Sequence, residues 1–223
     1  MKHQFKIISA ILILALTALA CGLPKLPALP AVPGASSAVF EDNFDGFDKT
    51  WSTGTDADSS VEYLGGGLRF KISTTKYFVW SDPNQTKYSN VHIEVTAKNN
   101  NSDGDAAFGI ICNQVISANY YYFAMTPNGQ YAIAKTAVAK DDVFLTNDNQ
   151  WADSDLITKN AASYRIGADC GDGTLVFYVD GKPIISVQDA TYAKGNVGLF
   201  AWSSEKEKGV DTTFDDFVVT DLK

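Results

Sequence analysis

This chain of 223 residues has few histidines and fewer basic than acidic residues. Its two histidines are His3 and His92, and so small a number argues against a Ser-His-acid triad and a histidine-rich metal site. The 18 Lys and Arg residues are outnumbered by 26 Asp and Glu, which gives a formal net charge of −8. A nucleic-acid-binding protein needs a basic surface to neutralise the phosphate backbone, so this composition argues against that class of partner.

The chain also lacks a long hydrophobic run. Residues 7–20 are apolar apart from Ser9 and Thr17, and they follow a short basic segment. A helix of this length would extend for about 21 Å, whereas the hydrocarbon core of a membrane is about 30 Å thick. A basic start followed by a short apolar run is typical of a secretory signal peptide, which we predict over residues 1–20.

Cysteine occurs three times, and Cys21 directly follows the apolar run. The sequence Ala-Leu-Ala-Cys at 18–21 resembles the lipobox of bacterial lipoproteins, although the Leu that commonly stands three residues before the Cys is Ala18 here. In that family the Cys thiol is acylated and the chain is cut before it. The resemblance implies that Cys21 is lipidated and that the exported protein is anchored by lipid to the bacterial membrane or cell surface. An ordinary signal peptide followed by a coincidental Cys is the alternative.

Proline is concentrated in the segment that follows. Four of the seven prolines lie within residues 21–38, one at every third position. Proline fixes φ and lacks an N–H donor, so this spacing predicts an extended tether of the polyproline II type. A docking motif for a proline-binding partner is the alternative.

Residues 39–223 have the pattern of one all-β domain. No long apolar stripe with a helical period is present, and segments such as 68–72 and 91–96 alternate apolar and polar residues. Asp180-Gly181 stands between two alternating runs and indicates a β-hairpin, because both residue types accept positive φ. We therefore predict an antiparallel two-sheet sandwich over residues 39–223.

The two remaining cysteines are expected to face the core of this sandwich. Cys112 and Cys170 each alternate in phase with the apolar residues of a predicted strand. An exported protein folds in an oxidising compartment, so we predict a disulfide between them. Two free buried thiols, packed as small hydrophobic groups, are the alternative.

Six segments of this domain match a known family, namely 108–112, 119–123, 164–166, 175–181, 195–201 and 214–219. They resemble parts of concanavalin A-like jelly-roll domains and occur in the same order as in that family. The same elements recur in laminin-G-like domains and in the domain of 3-keto-disaccharide hydrolases. The resemblance implies a jelly-roll fold over residues 39–223. It does not imply one function, because the superfamily includes lectins, glucanases and many bacterial surface lipoproteins.

Aromatic residues make up 12% of the chain and suggest a carbohydrate-binding surface. Within the predicted strand at 120–125, Tyr120 and Tyr122 face away from the side that suits the core. With Trp80 and Trp151 they are candidates for a platform on which the C–H faces of a sugar stack. We predict a non-catalytic carbohydrate-binding module, while core packing is the alternative for each aromatic residue taken singly.

Two other functions stay open, and neither has a motif of its own. One is an envelope scaffold or protein-binding module, which a flat exposed apolar patch would favour. The other is a glycan-processing hydrolase, which needs a pair of carboxyl groups. Jelly-roll glucanases carry a Glu-x-Asp-x-x-Glu pattern, and none of the five Glu residues here falls in one. No catalytic residue is therefore assigned.

Acidic residues near the two ends of the domain form a candidate calcium site. Asp42 and Asp45 lie by the first predicted strand, and Asp215 lies in the last. Terminal strands are often neighbours in such sandwiches, and Ca²⁺ takes six to eight oxygen ligands. Solvated edge charge is the alternative, and no other cofactor is expected.

Overall fold

The computed structural model describes residues 38–46, 50–83, 86–100, 102–205 and 209–222. The predicted signal peptide at 1–20, the lipidation at Cys21 and nearly all of the tether lie outside these residues. In the described ranges the regular structure is all β, as predicted. They contain no helix long and apolar enough to cross a membrane.

Sixteen strands are present in the described ranges, and their lengths vary from 2 to 12 residues. In chain order they are β1 Ala38–Asp42, β2 Gly54–Thr55, β3 Ser59–Tyr63, β4 Leu68–Ile72, β5 Phe78–Ser81, β6 Val91–Asn99, β7 Ala107–Ile116, β8 Asn119–Met125, β9 Gln130–Lys135, β10 Val143–Phe144, β11 Ala152–Asp153, β12 Ser163–Gly171, β13 Thr174–Val179, β14 Lys182–Gln188, β15 Asn196–Trp202 and β16 Val210–Asp221.

The strands form two antiparallel sheets. One has nine strands in the order β14-β13-β12-β6-β16-β4-β3-β2, with β1 also paired to β16. The other has seven strands in the order β10-β9-β8-β7-β15-β5, with β11 also paired to β9. The first and last strands are thus neighbours, and many neighbouring strands are distant in sequence. This is the two-sheet sandwich that the alternation predicted and the jelly roll that the family resemblance implied.

The core lies between the sheets because alternate residues of each strand point towards it. In β6, Val91, Ile93, Val95 and Ala97 are buried, while the residues between them are half-buried. The hairpin predicted at Asp180-Gly181 connects β13 to β14, and both turn residues have positive φ, at 51° and 72°.

A disulfide between Cys112 in β7 and Cys170 in β12 joins the two sheets through the core. This confirms the pairing predicted from the strand phase of both residues. The two cysteines are 58 positions apart in sequence, and closing a loop of this size contributes about 4 kcal/mol in the chain-entropy model.

Candidate ligand-binding site

The outer face of the seven-stranded sheet is apolar as well as the inner one. On β8, Tyr121 and Phe123 belong to the core, as predicted, while Tyr120 and Tyr122 point to the opposite face. There they join a second hydrophobic cluster, here called the outer aromatic cluster. Its buried members are Ala107, Ile111, Tyr120, Tyr122, Ala124, Ala134 and Phe200, and its half-buried members are Phe78, Trp80, Phe144, Trp151 and Trp202.

The rings of this cluster contact one another across several strands. Phe78 of β5 stacks on Phe200 of β15, with ring centroids 5.1 Å apart, and Tyr122 meets Phe200 edge-on at 5.5 Å. On the side of β10, Phe144 and Trp151 lie 6.0 Å apart at a tilt. Such pairs each contribute about 1 kcal/mol beyond their area burial, so the cluster positions its own rings.

Small residues between the rings leave a pocket open, here called the aromatic pocket. Its volume is about 170 Å³. Six of its nine lining residues are aromatic, two are alanines, and Asp142 supplies a carboxyl group. The lining residues are Phe78, Ala107, Tyr122, Ala124, Asp142, Phe144, Trp151, Phe200 and Trp202.

Asp142 and Tyr122 form the polar contact of this pocket. The Tyr122 hydroxyl donates a hydrogen bond to Oδ2 of Asp142 at 3.0 Å, and Tyr122 is only 7% exposed. Burial raises the pKa of Tyr122, and the nearby Asp142 charge raises it further, so the hydroxyl stays protonated. Burial also raises the pKa of Asp142 above its usual value, which the Tyr122 hydrogen bond opposes.

A polar cluster, made of Asp82, Lys87, Gln114 and Asn196, lies further along the same face. Asn196 precedes Phe200 by four residues on β15, about 13 Å along the strand, and stands opposite Gln114. Burial raises the pKa of Asp82, while a hydrogen bond from Asn196 and the Lys87 charge lower it. Among the described atoms, the buried Nε2 of Gln114 has no hydrogen-bond partner. Lys87 is the exposed member of this cluster, and the other three side chains are buried.

Solved structures that match this architecture share the fold but differ in function. No known family profile and no curated protein matches the chain. The carbohydrate-binding module CBM66 from Bacillus subtilis matches with a TM-score of 0.59 and 15% identity, over 77% of this chain and 96% of that one. β-Agarase A from Zobellia galactanivorans matches with a TM-score of 0.58 and 14% identity, over 87% and 96%.

A third match is a protein of unknown function with a galectin-like fold from Bacillus subtilis. Its TM-score is 0.58 at 11% identity, and the match covers 83% of this chain and 97% of that one. The domain has a concanavalin A-like jelly-roll fold. This confirms the resemblance proposed from the sequence. At identities this low, the jelly roll is what these matches establish, and its ligand has to be argued from the site itself.

The jelly roll places all four predicted binding residues in the outer aromatic cluster. Tyr122 and Trp151 line the aromatic pocket, whereas Tyr120 and Trp80 lie beside it. Burial raises the pKa of Tyr120 to about 12. Their role in binding stays a prediction.

Sequence reasoning missed several residues of the pocket. Phe200 and Trp202 alternate with core residues on β15, as Tyr120 and Tyr122 do on β8, so the same phase argument would have found them. Phe144 lies in a strand of two residues, and Asp142 lies in the loop before it. Neither segment is long enough to show an alternation of apolar and polar residues.

Two of the three predicted calcium ligands bond to other residues in the jelly roll. Asp42 accepts hydrogen bonds from the Phe44 N–H at 2.7 Å and from Nε1 of Trp51 at 3.1 Å. Asp215 forms an ion pair with Lys98 at 2.7 Å, and Asp45 is exposed beyond the end of β1. Within the described residues, no group of three or more His, Cys, Asp or Glu side chains is arranged to hold a metal ion. The structure thus gives the calcium prediction no support.

His92 belongs to a charged network on the nine-stranded sheet rather than standing as an isolated surface residue. Its Nδ1 lies 2.5 Å from Oδ1 of Asp169 on β12, and its Nε2 lies 3.4 Å from Oε1 of Glu94. The Tyr178 hydroxyl donates to the second oxygen of Asp169 at 2.7 Å, and Arg165 pairs with Glu94 at 3.1 Å. The network links three adjacent strands and lies on the other sheet from the aromatic pocket.

Proposed function

We propose that this jelly-roll domain binds carbohydrate, without cleaving it, on the outer face of the seven-stranded sheet. The observation that carries the proposal is the outer aromatic cluster, whose half-buried rings form a surface on which a sugar can stack. The polar cluster lies on the same face. Aromatic rings match the C–H faces of sugars, and nearby polar groups match their hydroxyls. Among proteins of this fold, one named above is a carbohydrate-binding module and another an agarase.

The carboxyl groups of the site favour binding over hydrolysis. Glycoside hydrolases of the usual kind place two carboxyl groups about 5 to 9.5 Å apart around the scissile bond. Of the described residues that line the aromatic pocket, Asp142 is the one that carries a carboxyl group. The acid of the polar cluster, Asp82, is buried and already bonded to Asn196.

The test is a polysaccharide screen that records both binding and released sugars. It uses residues 21–223 with Cys21→Ala, here called the soluble variant, which keeps the whole predicted mature chain and removes the lipidation site. We expect saturable binding of at least one polysaccharide and no released sugar. Sugar release would contradict the non-catalytic proposal, and the absence of binding to every polysaccharide would contradict the carbohydrate proposal.

Matched variants then locate the binding surface. Trp151→Ala removes a half-buried pocket ring and should weaken binding about tenfold, the value of one well-placed stacking contact. Trp151→Phe keeps a ring and should lose less. Leu64→Ala changes an exposed apolar side chain outside the outer aromatic cluster and should leave binding unchanged. Equal effects of Trp151→Ala and Leu64→Ala would place the ligand elsewhere.

We also infer that the protein is an exported lipoprotein anchored through Cys21. The inference is supported by the predicted signal peptide, by the position of Cys21 directly after it and by a disulfide of the kind that persists in oxidising compartments. Cys21→Ala should move the full chain from the membrane fraction to the soluble fraction and abolish acyl labelling. Unchanged fractionation, with no acyl label on the wild type, would contradict lipid anchoring.

A further inference from the structure

The aromatic pocket has few groups with which to satisfy a hydroxyl-rich ligand. Its polar side-chain groups are the Asp142 carboxylate, the Tyr122 hydroxyl and the indole N–H groups of Trp151 and Trp202. The Asp142 carboxylate and the Tyr122 hydroxyl already bond to each other. A sugar ring inserted into this pocket would leave some of its hydroxyls buried without partners, which is costly. The pocket therefore suits a more compact group that needs few hydrogen bonds.

The electrostatic character of the pocket favours a cation. The face of an aromatic ring carries negative potential, and a cation within about 6 Å of several rings is attracted by all of them. Asp142 adds a carboxylate at the same place, next to the exposed Asp141. No Lys, Arg or His is found among the described residues that line the pocket, and the whole chain has a net charge of −8.

The pocket distinguishes between two kinds of organic cation. A protonated amine carries three N–H donors and is strongly hydrated, so it needs several acceptors when it is buried. A quaternary ammonium group has no donor and presents methyl groups, so aromatic rings and one carboxylate satisfy it. The volume of about 170 Å³ corresponds to about six water-sized groups, which is enough for one nitrogen with its four attached carbons.

We propose that the aromatic pocket binds a quaternary ammonium group of the choline type, with Asp142 as the counter-charge. The proposal goes beyond carbohydrate binding and does not depend on it, because a sugar would stack on the half-buried rings of the outer aromatic cluster, whereas the ammonium group enters the pocket itself. The pocket holds the cationic head, and the Tyr122 hydrogen bond holds the Asp142 carboxylate at its edge.

The first experiment titrates the soluble variant with choline chloride. Calorimetry and tryptophan fluorescence report binding, since Trp151 and Trp202 both line the pocket. The comparison ligand is 3,3-dimethylbutan-1-ol, which has the shape of choline with a neutral carbon in place of the charged nitrogen. Sodium chloride at matched concentrations controls for ionic strength. We expect saturable choline binding, and at least tenfold weaker binding of the neutral alcohol.

A charge-matched pair of variants tests the role of Asp142. Asp142→Asn keeps the side-chain shape and an oxygen that can accept the Tyr122 hydrogen bond, but it removes the charge. We expect it to weaken choline binding about tenfold and to leave binding of the neutral alcohol unchanged. Asp141→Asn removes the same charge one residue away and should change choline affinity less than twofold. Thermal melts of both variants verify that they are folded.

The outcomes separate this proposal from the carbohydrate proposal. Absence of saturable choline binding, or equal affinity for choline and the neutral alcohol, would overturn the quaternary ammonium site, and neither measurement requires a substitution in the pocket. Polysaccharide binding without choline binding would contradict this proposal alone. Choline binding without polysaccharide binding would leave it standing and contradict the carbohydrate proposal alone.

Discussion

Raising the pH from 6 to 10 should weaken the fold through the deprotonation of a single side chain, His92. Hydrogen bonds to Asp169 and to Glu94 raise the pKa of His92 from 6.5 to about 9, against the opposing effect of burial. Below pH 6.5 the imidazole is protonated in both the folded and the unfolded chain, and its full contribution to stability is present. Between pH 6.5 and 9 only the folded chain keeps the proton, so the free energy of unfolding falls.

The size of this effect follows from the pKa shift. One pKa unit corresponds to about 1.4 kcal/mol, so a rise from 6.5 to about 9 is equivalent to about 3 kcal/mol. The His92 side chain is 27% exposed, and screening by solvent makes this value an upper limit. A loss of this size is a large fraction of the 5–15 kcal/mol that is typical of a folded domain.

Urea denaturation of the soluble variant, with and without His92→Gln, measures the effect. The difference in unfolding free energy between the two proteins should shrink from pH 6 to pH 10, by at most about 3 kcal/mol, and other titrating groups cancel in this difference. His92 is the one histidine after residue 20, so its NMR titration gives the pKa without assignment. An imidazole that titrates near 6.5, or a difference that does not change with pH, would refute the reasoning.

Three shorter predictions concern other parts of the fold. Reduction of Cys112–Cys170 should lower the free energy of unfolding by about 4 kcal/mol in urea melts, and a double Cys→Ala variant that loses nothing would contradict this. Gly181→Ala should cost about 1 kcal/mol in the same assay because Gly181 has a φ of 72°, whereas substitution of Gly54, whose φ is negative or extended, should cost less. The pKa of Glu94 is lowered to about 2, chiefly by its hydrogen bond from His92, so Glu94→Gln should flatten the loss of stability between pH 4.5 and 2.

Most of the fold could be predicted because the alternation of apolar and polar residues along a strand shows which side chains face the core. The phase of Cys112 and Cys170 indicated two core-facing thiols, and the jelly roll brings them together across its two sheets. The order of strands within each sheet could not be derived in this way, because β6 and β16 pair across more than a hundred residues and nothing local encodes that choice. The family resemblance implied a jelly roll, and the order of the strands came from the structure.

The candidate site could be predicted only where a strand was long enough to show a phase. Tyr120 and Tyr122 are separated by a core residue on β8, so their direction could be inferred. Asp142 was not a candidate, because it precedes a strand of two residues and acquires its partner, Tyr122, from 20 positions earlier in the chain. The calcium prediction is not tested: the terminal strands do pair, as expected, and Asp42 and Asp215 bond to Trp51 and Lys98.

The location of the site has a sequence signal that the strand-by-strand reading did not use. In a two-layer sandwich the outer face of a sheet normally meets water, as on β6, where half-buried polar residues alternate with buried apolar ones. On β7 the first eight residues are buried on both faces, and the run 106–112 contains no polar side chain. Because the core can cover only one of these faces, the other must be covered by other side chains or by a ligand. Here the outer aromatic cluster covers it, and the aromatic pocket is the part that it leaves open.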